Sequence, residues 1–165
     1  MNELLKRLTE AQGVSSHEKE IRSLILDLIT DYIDDWHVDA MGNLIAQKKG
    51  TDKSDHQVLV DAHMDEVGLM ISGVDRDGTG KFMPVGGVNP QSLLGKVVQV
   101  GPKKITGVIG ARPIHLLDSK QRGSLVKTES MRIDIGAKSK EEANRKIKPG
   151  HMASFVTEYS ECIPN

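Results

Sequence analysis

The hydrophobic pattern changes period near residue 68, and that change limits the chain to a mixed fold. Before it, Ile21, Leu24, Ile25, Leu28, Ile29 and Tyr32 recur at helical spacing. They leave one apolar stripe on a helix of about four to five turns. Ahead of that helix, Leu4, Leu5, Leu8 and Ala11 line a first one, which Gly13 stops. Beyond residue 67 the strand-like runs are Val67–Val74, Gly80–Val85, Gly95–Gly101, Ile105–Ala111, Met131–Gly136 and a last one near Ala153–Thr157. Asp75-Arg76-Asp77-Gly78, Gly86-Gly87, Pro102 and the polar segment Asp118–Ser124 separate them. Many short strands with such punctuation predict a small barrel or sandwich.

Between the two regimes, Trp36–Asp39 and Leu44–Gln47 flank Met41-Gly42-Asn43, a hairpin signal. Gln57–Asp61 then reads as a further strand after the polar turn Gly50–Asp55. Two helices followed by such strands predict an α/β sheet with helices packed on it. Ser15-Ser16-His17-Glu18 and Ser139-Lys140-Glu141-Glu142 both read as capping boxes, in which the serine accepts from an amide three residues on. The second opens one short helix among the later strands.

Composition excludes several functions. The net charge is −1 and the pI near 6.6, so the basic footprint of a polyanion binder is missing. One Trp, two Tyr and two Phe are too few for stacking on single-stranded nucleic acid. No run approaches the roughly 20 apolar residues that span a bilayer. Met1-Asn2-Glu3-Leu4-Leu5-Lys6-Arg7 carries an acid and no apolar h-region, unlike a secretory signal. The single cysteine, Cys162, fits a reducing compartment. We expect no nucleic acid, no membrane and a cytoplasmic location.

The chemistry concentrates in Val58-Leu59-Val60-Asp61-Ala62-His63-Met64-Asp65-Glu66-Val67-Gly68. Strand alternation would point Asp61, His63 and Asp65 the same way. An imidazole nitrogen can ligate a metal while a neighbouring carboxylate orients the ring and raises its basicity. His63 is the candidate ligand and Asp65 its candidate partner. Alternation turns Glu66 away, and Asp61, one pleat back, reads as an outer or sheet-edge group. The other histidines carry less: His17 as solvated surface, His37 and His56 as turn residues, His115 as a loop or interface group, His151 as exposed. Glu158 and Glu161 have no partner at a useful spacing. No Ser-His-Asp or Cys-His arrangement and no phosphate-cradling Gly-rich loop is present. Glycoside hydrolysis would need a pair of carboxylates at a set separation, and none is recognisable.

His63-Met64-Asp65-Glu66-Val67-Gly68 resembles a signature of the dinuclear-metal aminopeptidases that assemble as hollow tetrahedral dodecamers. Further stretches match in order: Asp39-Ala40-Met41-Gly42-Asn43-Leu44; Gly86-Gly87-Val88-Asn89-Pro90-Gln91 with Leu93-Leu94-Gly95; and Gly107-Val108-Ile109-Gly110 leading to Pro113-Ile114-His115-Leu116-Leu117. Ile133-Asp134-Ile135-Gly136-Ala137 before Ser139-Lys140-Glu141-Glu142-Ala143, and then Lys148-Pro149-Gly150, complete the set. His151 departs from the pattern, which has an acid after Pro-Gly.

The resemblance implies an α/β fold: residues 1–70 as part of an α/β/α catalytic domain, 71–160 as an inserted β-rich, PDZ-like dimerisation domain, and 161–165 as the return to the catalytic domain. It implies removal of residues from peptide N-termini by a water bridging two divalent ions, zinc or cobalt. His63 would be a metal ligand, and Asp65 the acidic catalytic partner that positions it. The bridging aspartate, the paired glutamates and the last histidine are not matched here, so this reading expects the front half of an enzyme, inactive and binding metal weakly by itself. Peptides are the expected substrates, and homo-oligomers built from dimers the expected assembly. The alternative is a non-catalytic truncated homologue that serves only in assembly. With half an enzyme, we also expect self-association, or disorder of residues 1–65.

Overall fold

The computed structural model describes residues 2–51, 57–111 and 126–161. By its internal contacts the chain divides into two compact units, Met1–Glu66 with Tyr159–Asn165, and Val67–Glu158. The fold is mixed α/β, as the change of period predicts, and most of its sheet is a closed six-stranded barrel.

The first unit contains helix α1 (Asn2–Glu10), helix α2 (Lys19–Ile29) and the antiparallel hairpin of β1 (Asp35–Val38) with β2 (Leu44–Gln47). The α2 stripe faces inward: Ile21 is buried, and Leu24, Ile25, Leu28 and Ile29 are half-buried. The helix is shorter than its periodicity suggests. Thr30–Tyr32 tightens into a 3₁₀ turn, the Thr30 hydroxyl bonds back to the Leu26 carbonyl at 2.6 Å, and Tyr32 is exposed. The hairpin turn is organised by Asp39. Its carboxylate accepts from the Met41 and Asn43 amides, both at 2.9 Å, and from the Asn43 side chain. Arg22 of α2 donates to the Gly42 carbonyl at 2.9 Å and ties helix to turn.

Two local expectations fail in this unit. Gln57–Asp61 is not a strand, because no described strand lies beside it to take its backbone groups. Val58, Leu59 and Val60 are 88%, 89% and 87% exposed, although an unbroken apolar run is what a strand covered on both faces looks like. The first capping box also does not form: α2 has Glu18 at its cap position with no side-chain bond. Glu18 instead accepts from the Ser16 amide, and the Ser15 hydroxyl is engaged elsewhere.

The second unit is the barrel. Its strands are β3 (Gly68–Val74), β4 (Gly80–Val85), β5 (Val97–Val100), β6 (Ile105–Gly110), β7 (Arg132–Asp134) and β8 (Met152–Phe155). They close in the order β3-β4-β7-β6-β5-β8, every pair antiparallel. Alternation sends Leu69, Ile71, Phe82, Val98, Val100, Ile109, Ile133 and Ala153 into one core, with Leu93, Met131, Ala143 and Ile147 sealing it. Closure removes the sheet edges that would invite pairing with other chains. The second capping box is present. Ser139 accepts from the Glu142 amide at 3.2 Å, and helix α3 (Lys140–Lys146) follows it. Glu142 reaches back to the Lys138 amide at 3.0 Å. His151 is half-buried rather than exposed: its Nδ1 accepts from the Lys148 amide at 3.3 Å, folding the ring over the turn. His56, His115, Cys162 and the segment Asp118–Ser124 lie outside the described residues.

Asp75, just past β3, clamps the neighbouring strands. Its carboxylate meets Lys81 of β4 at 2.8 Å and Arg132 of β7 at 2.6 Å. Those two cations hold the Asp75 carboxyl below the ordinary aspartate range. An acid lowered in the folded state binds fewer protons there than when unfolded, so its stabilisation is present above the unfolded pKa, about 3.9. That stabilisation is lost as pH falls through the lowered value. Wild type and Asp75→Asn should therefore differ in urea midpoint at neutral pH and converge as pH falls through the lowered Asp75 pKa. Curves that stay parallel across that range would refute the clamp.

Candidate functional site

The His63 side chain stands 85% exposed at the end of the Gln57–Ala62 run. Its Nδ1 lies 3.2 Å from Asp65 Oδ1 and 3.1 Å from the Asp65 carbonyl oxygen. Both neighbours are acceptors, so the proton belongs on Nδ1 and the lone pair is left on Nε2. That is the tautomer a metal-ligating imidazole needs, with its second nitrogen held by a carboxylate. The two residues meet as alternation anticipates, although no ladder holds this stretch. Asp61 is exposed, and the described hydrogen bonds of His63 go to Asp65.

What holds the stretch is the turn before α2. Val14 forms a parallel bridge with Glu66. The Glu66 amide donates to the Gly13 carbonyl at 2.7 Å, and the Ser15 amide donates to the Glu66 carbonyl at 3.2 Å. Glu66 turns its carboxylate to the Gly13 amide at 3.3 Å, and burial raises its pKa. Ser15 Oγ donates to Asp65 Oδ2 at 2.5 Å. That bond foremost, and then the His63 ring, hold the Asp65 carboxyl below its ordinary range against the opposing effect of partial burial. Sequence reasoning missed Ser15, because Ser-x-x-Glu before an apolar run is also how a helix cap is written.

Gly13 makes this approach possible. A Cβ there would sit 2.8 Å from Ile21 Cγ2 and 2.9 Å from the Met64 carbonyl oxygen. Gly13→Ala should cost the first unit about 1–3 kcal/mol by overpacking, read as a lower urea midpoint. A midpoint equal to wild type would mean the turn does not pack as described.

One imidazole and its carboxylate make one corner of a metal centre. Structural and catalytic zinc sites use at least three protein ligands, and among the described residues no group of three or more His, Cys, Asp or Glu side chains comes together. Glu161 is engaged elsewhere in this unit: it accepts from the Asn2 side chain at 2.7 Å. Among the described residues, no helix is long and apolar enough to cross a membrane.

A family model described as M42 glutamyl aminopeptidase matches residues 42–163. The chain belongs to that family. Lysyl aminopeptidase of Pyrococcus furiosus is 39% identical over 163 residues, covering 96% of this chain and 46% of the relative. Among solved structures, the TET aminopeptidase from the marine sediment archaeon Thaumarchaeota archaeon SCGC AB-539-E09 superposes with a TM-score of 0.88 at 35% identity. The match covers 96% of this chain and 45% of that one. The Pyrococcus horikoshii TET1 peptidase, described as able to assemble into a tetrahedron or a large octahedral shell, gives a TM-score of 0.83 at 40% identity. Here the coverage is 96% of this chain and 47% of that one. The chain thus spans about half the length of the curated M42 relatives it matches.

Proposed function

We propose that this chain supplies part of the active centre of a metal-dependent aminopeptidase that removes residues from the N-termini of peptides. The observation that carries the reading is the His63–Asp65 pair, with Nδ1 held by a carboxylate and Nε2 open beside solvent. His63 would ligate one of two divalent ions, zinc or cobalt, and the other ligands would come from outside the described residues. Such a pair of ions, when bound, lowers the pKa of a bridging water and clamps the attacking and departing oxygens. Asp65 fixes the ring and its tautomer, and the turn before α2, bonded to Glu66, keeps the pair in place. In this reading the barrel unit serves subunit pairing in a cytoplasmic homo-oligomer built from dimers toward a dodecamer. The chain alone, with one such ligand among its described residues, would hold metal weakly and not turn over.

The test is hydrolysis of unblocked peptides by the full gene product. Turnover should vanish with a chelator, return with zinc or cobalt, and fail on N-acetylated peptides. Release that survives the chelator would refute the reading, as would equal cleavage of the acetylated peptide.

A further inference from the structure

We propose that Ser15 is the positioning residue of the His63–Asp65 pair: its hydroxyl holds Asp65 Oδ2 so that Oδ1 stays turned to the imidazole. The inference rests on the metal-anchor reading of His63 and adds to it a residue far away in sequence, which the matched motifs do not contain.

A carboxylate on a short side chain turns readily about its last torsion, which is broad and roughly two-fold. One bond to an exposed ring would hold it poorly, since that ring is itself 85% exposed. Asp65 is bound at both ends instead, with Oδ2 taken by Ser15 and Oδ1 facing His63 Nδ1 at 3.2 Å. With its orientation set from behind, the carboxylate can set the ring. Outer partners of this kind govern ligand orientation and basicity.

Three separate features place Ser15 there. The backbone on either side is zipped to Glu66 by the Gly13 carbonyl and the Ser15 amide. Ser16 takes a left-handed backbone, φ 70°, an uncommon conformation for a residue with a side chain. Glu18 accepts from the Ser16 amide, and the helix that follows draws no side-chain cap. Ser15 is therefore not used as the cap its sequence suggests. Its hydroxyl serves the site.

The experiment compares the 165-residue wild type with Ser15→Ala, Ser15→Thr and Ser15→Val. The last two differ by a hydroxyl in nearly equal volumes, so their contrast survives if the alanine variant folds poorly. Two signals are read at about pH 8: the ¹⁵N shifts of the His63 ring, and Co(II) affinity by titration. Wild type and Ser15→Thr should show the Nδ1–H tautomer. Ser15→Ala and Ser15→Val should drift toward Nε2–H and bind Co(II) about tenfold more weakly. A merely structural serine would lower the unfolding midpoint without moving the tautomer, and that result overturns the proposal. His63→Ala separates the two failures. If it leaves Co(II) binding unchanged, the metal reading falls, while the tautomer contrast still decides for or against Ser15.

Discussion

Ile133→Ala should destabilise the barrel by about 4 kcal/mol, near the upper part of the range for such truncations. Ile133 is fully buried in β7, the shortest strand, between β4 and β6. It lies opposite Gly80 on one side and Ile109 on the other. Its Cγ2 fills space that a Cβ on Gly107 would enter, at 2.6 Å. The neighbouring glycine has no side chain to swing into the hole, so that side of the cavity stays open after truncation. The cost then approaches transfer of the lost methyls plus the full cavity term.

The same geometry predicts a coupling. Gly107→Ala alone meets Ile133 Cγ2 and should destabilise by about 1–3 kcal/mol. In the Ile133→Ala background that methyl is gone, and the new Cβ partly fills the cavity. The double variant should be more stable than the sum of the singles by about 1 kcal/mol or more, within the range for touching residues. Urea unfolding of the four proteins measures it. Strict additivity would show that the two positions do not share the space described.

The second large effect concerns function. In the full gene product, His63→Ala should lower chelator-sensitive peptidase turnover by more than the ~100-fold upper figure for outer partners, because it removes a ligand itself. Asp65→Asn should cost about 10–100-fold: the ring loses its charged acceptor but keeps a neighbour of the same shape. Stability separates these effects from misfolding. His63 is exposed, so His63→Ala should leave the urea midpoint within about 0.5 kcal/mol of wild type. Normal turnover in His63→Ala would remove the metal anchor from the mechanism. A matching fall in stability would reassign the residue to folding.

Much of the barrel was legible because its core obeys local rules. Gly80–Val85 coincides with β4, and the other five runs differ from their strands only at the ends. Ser139 caps α3 as Ser-x-x-Glu before a helix should. The same four-residue signature failed at Ser15, where a carboxylate about fifty residues later in sequence competes for the hydroxyl. Periodicity overextended α2 as well, since apolar spacing continues through Tyr32 whether or not a neighbour covers it.

The pairing of His63 with Asp65 could be read from two residues of separation, because i and i+2 lie within reach in any extended chain. The run before them could not. Val58-Leu59-Val60 has the composition of a covered strand, yet a strand exists only where another backbone accepts its hydrogen bonds, and that is a property of the whole assembly of elements.

By itself, then, the sequence determined the change from helical to strand period, the inward residues of the barrel, and the ligand-like pair. Each depends on neighbours a few positions apart, and side-chain chemistry and backbone geometry suffice to specify them. Tertiary structure alone decided the closure of the strands into a ring, the bridging of Gly13–Ser15 to Glu66, and the use of Ser15 as a brace for Asp65. Those outcomes depend on which distant groups arrive together, and a polar side chain bonds whichever partner the folded backbone brings within about 3 Å.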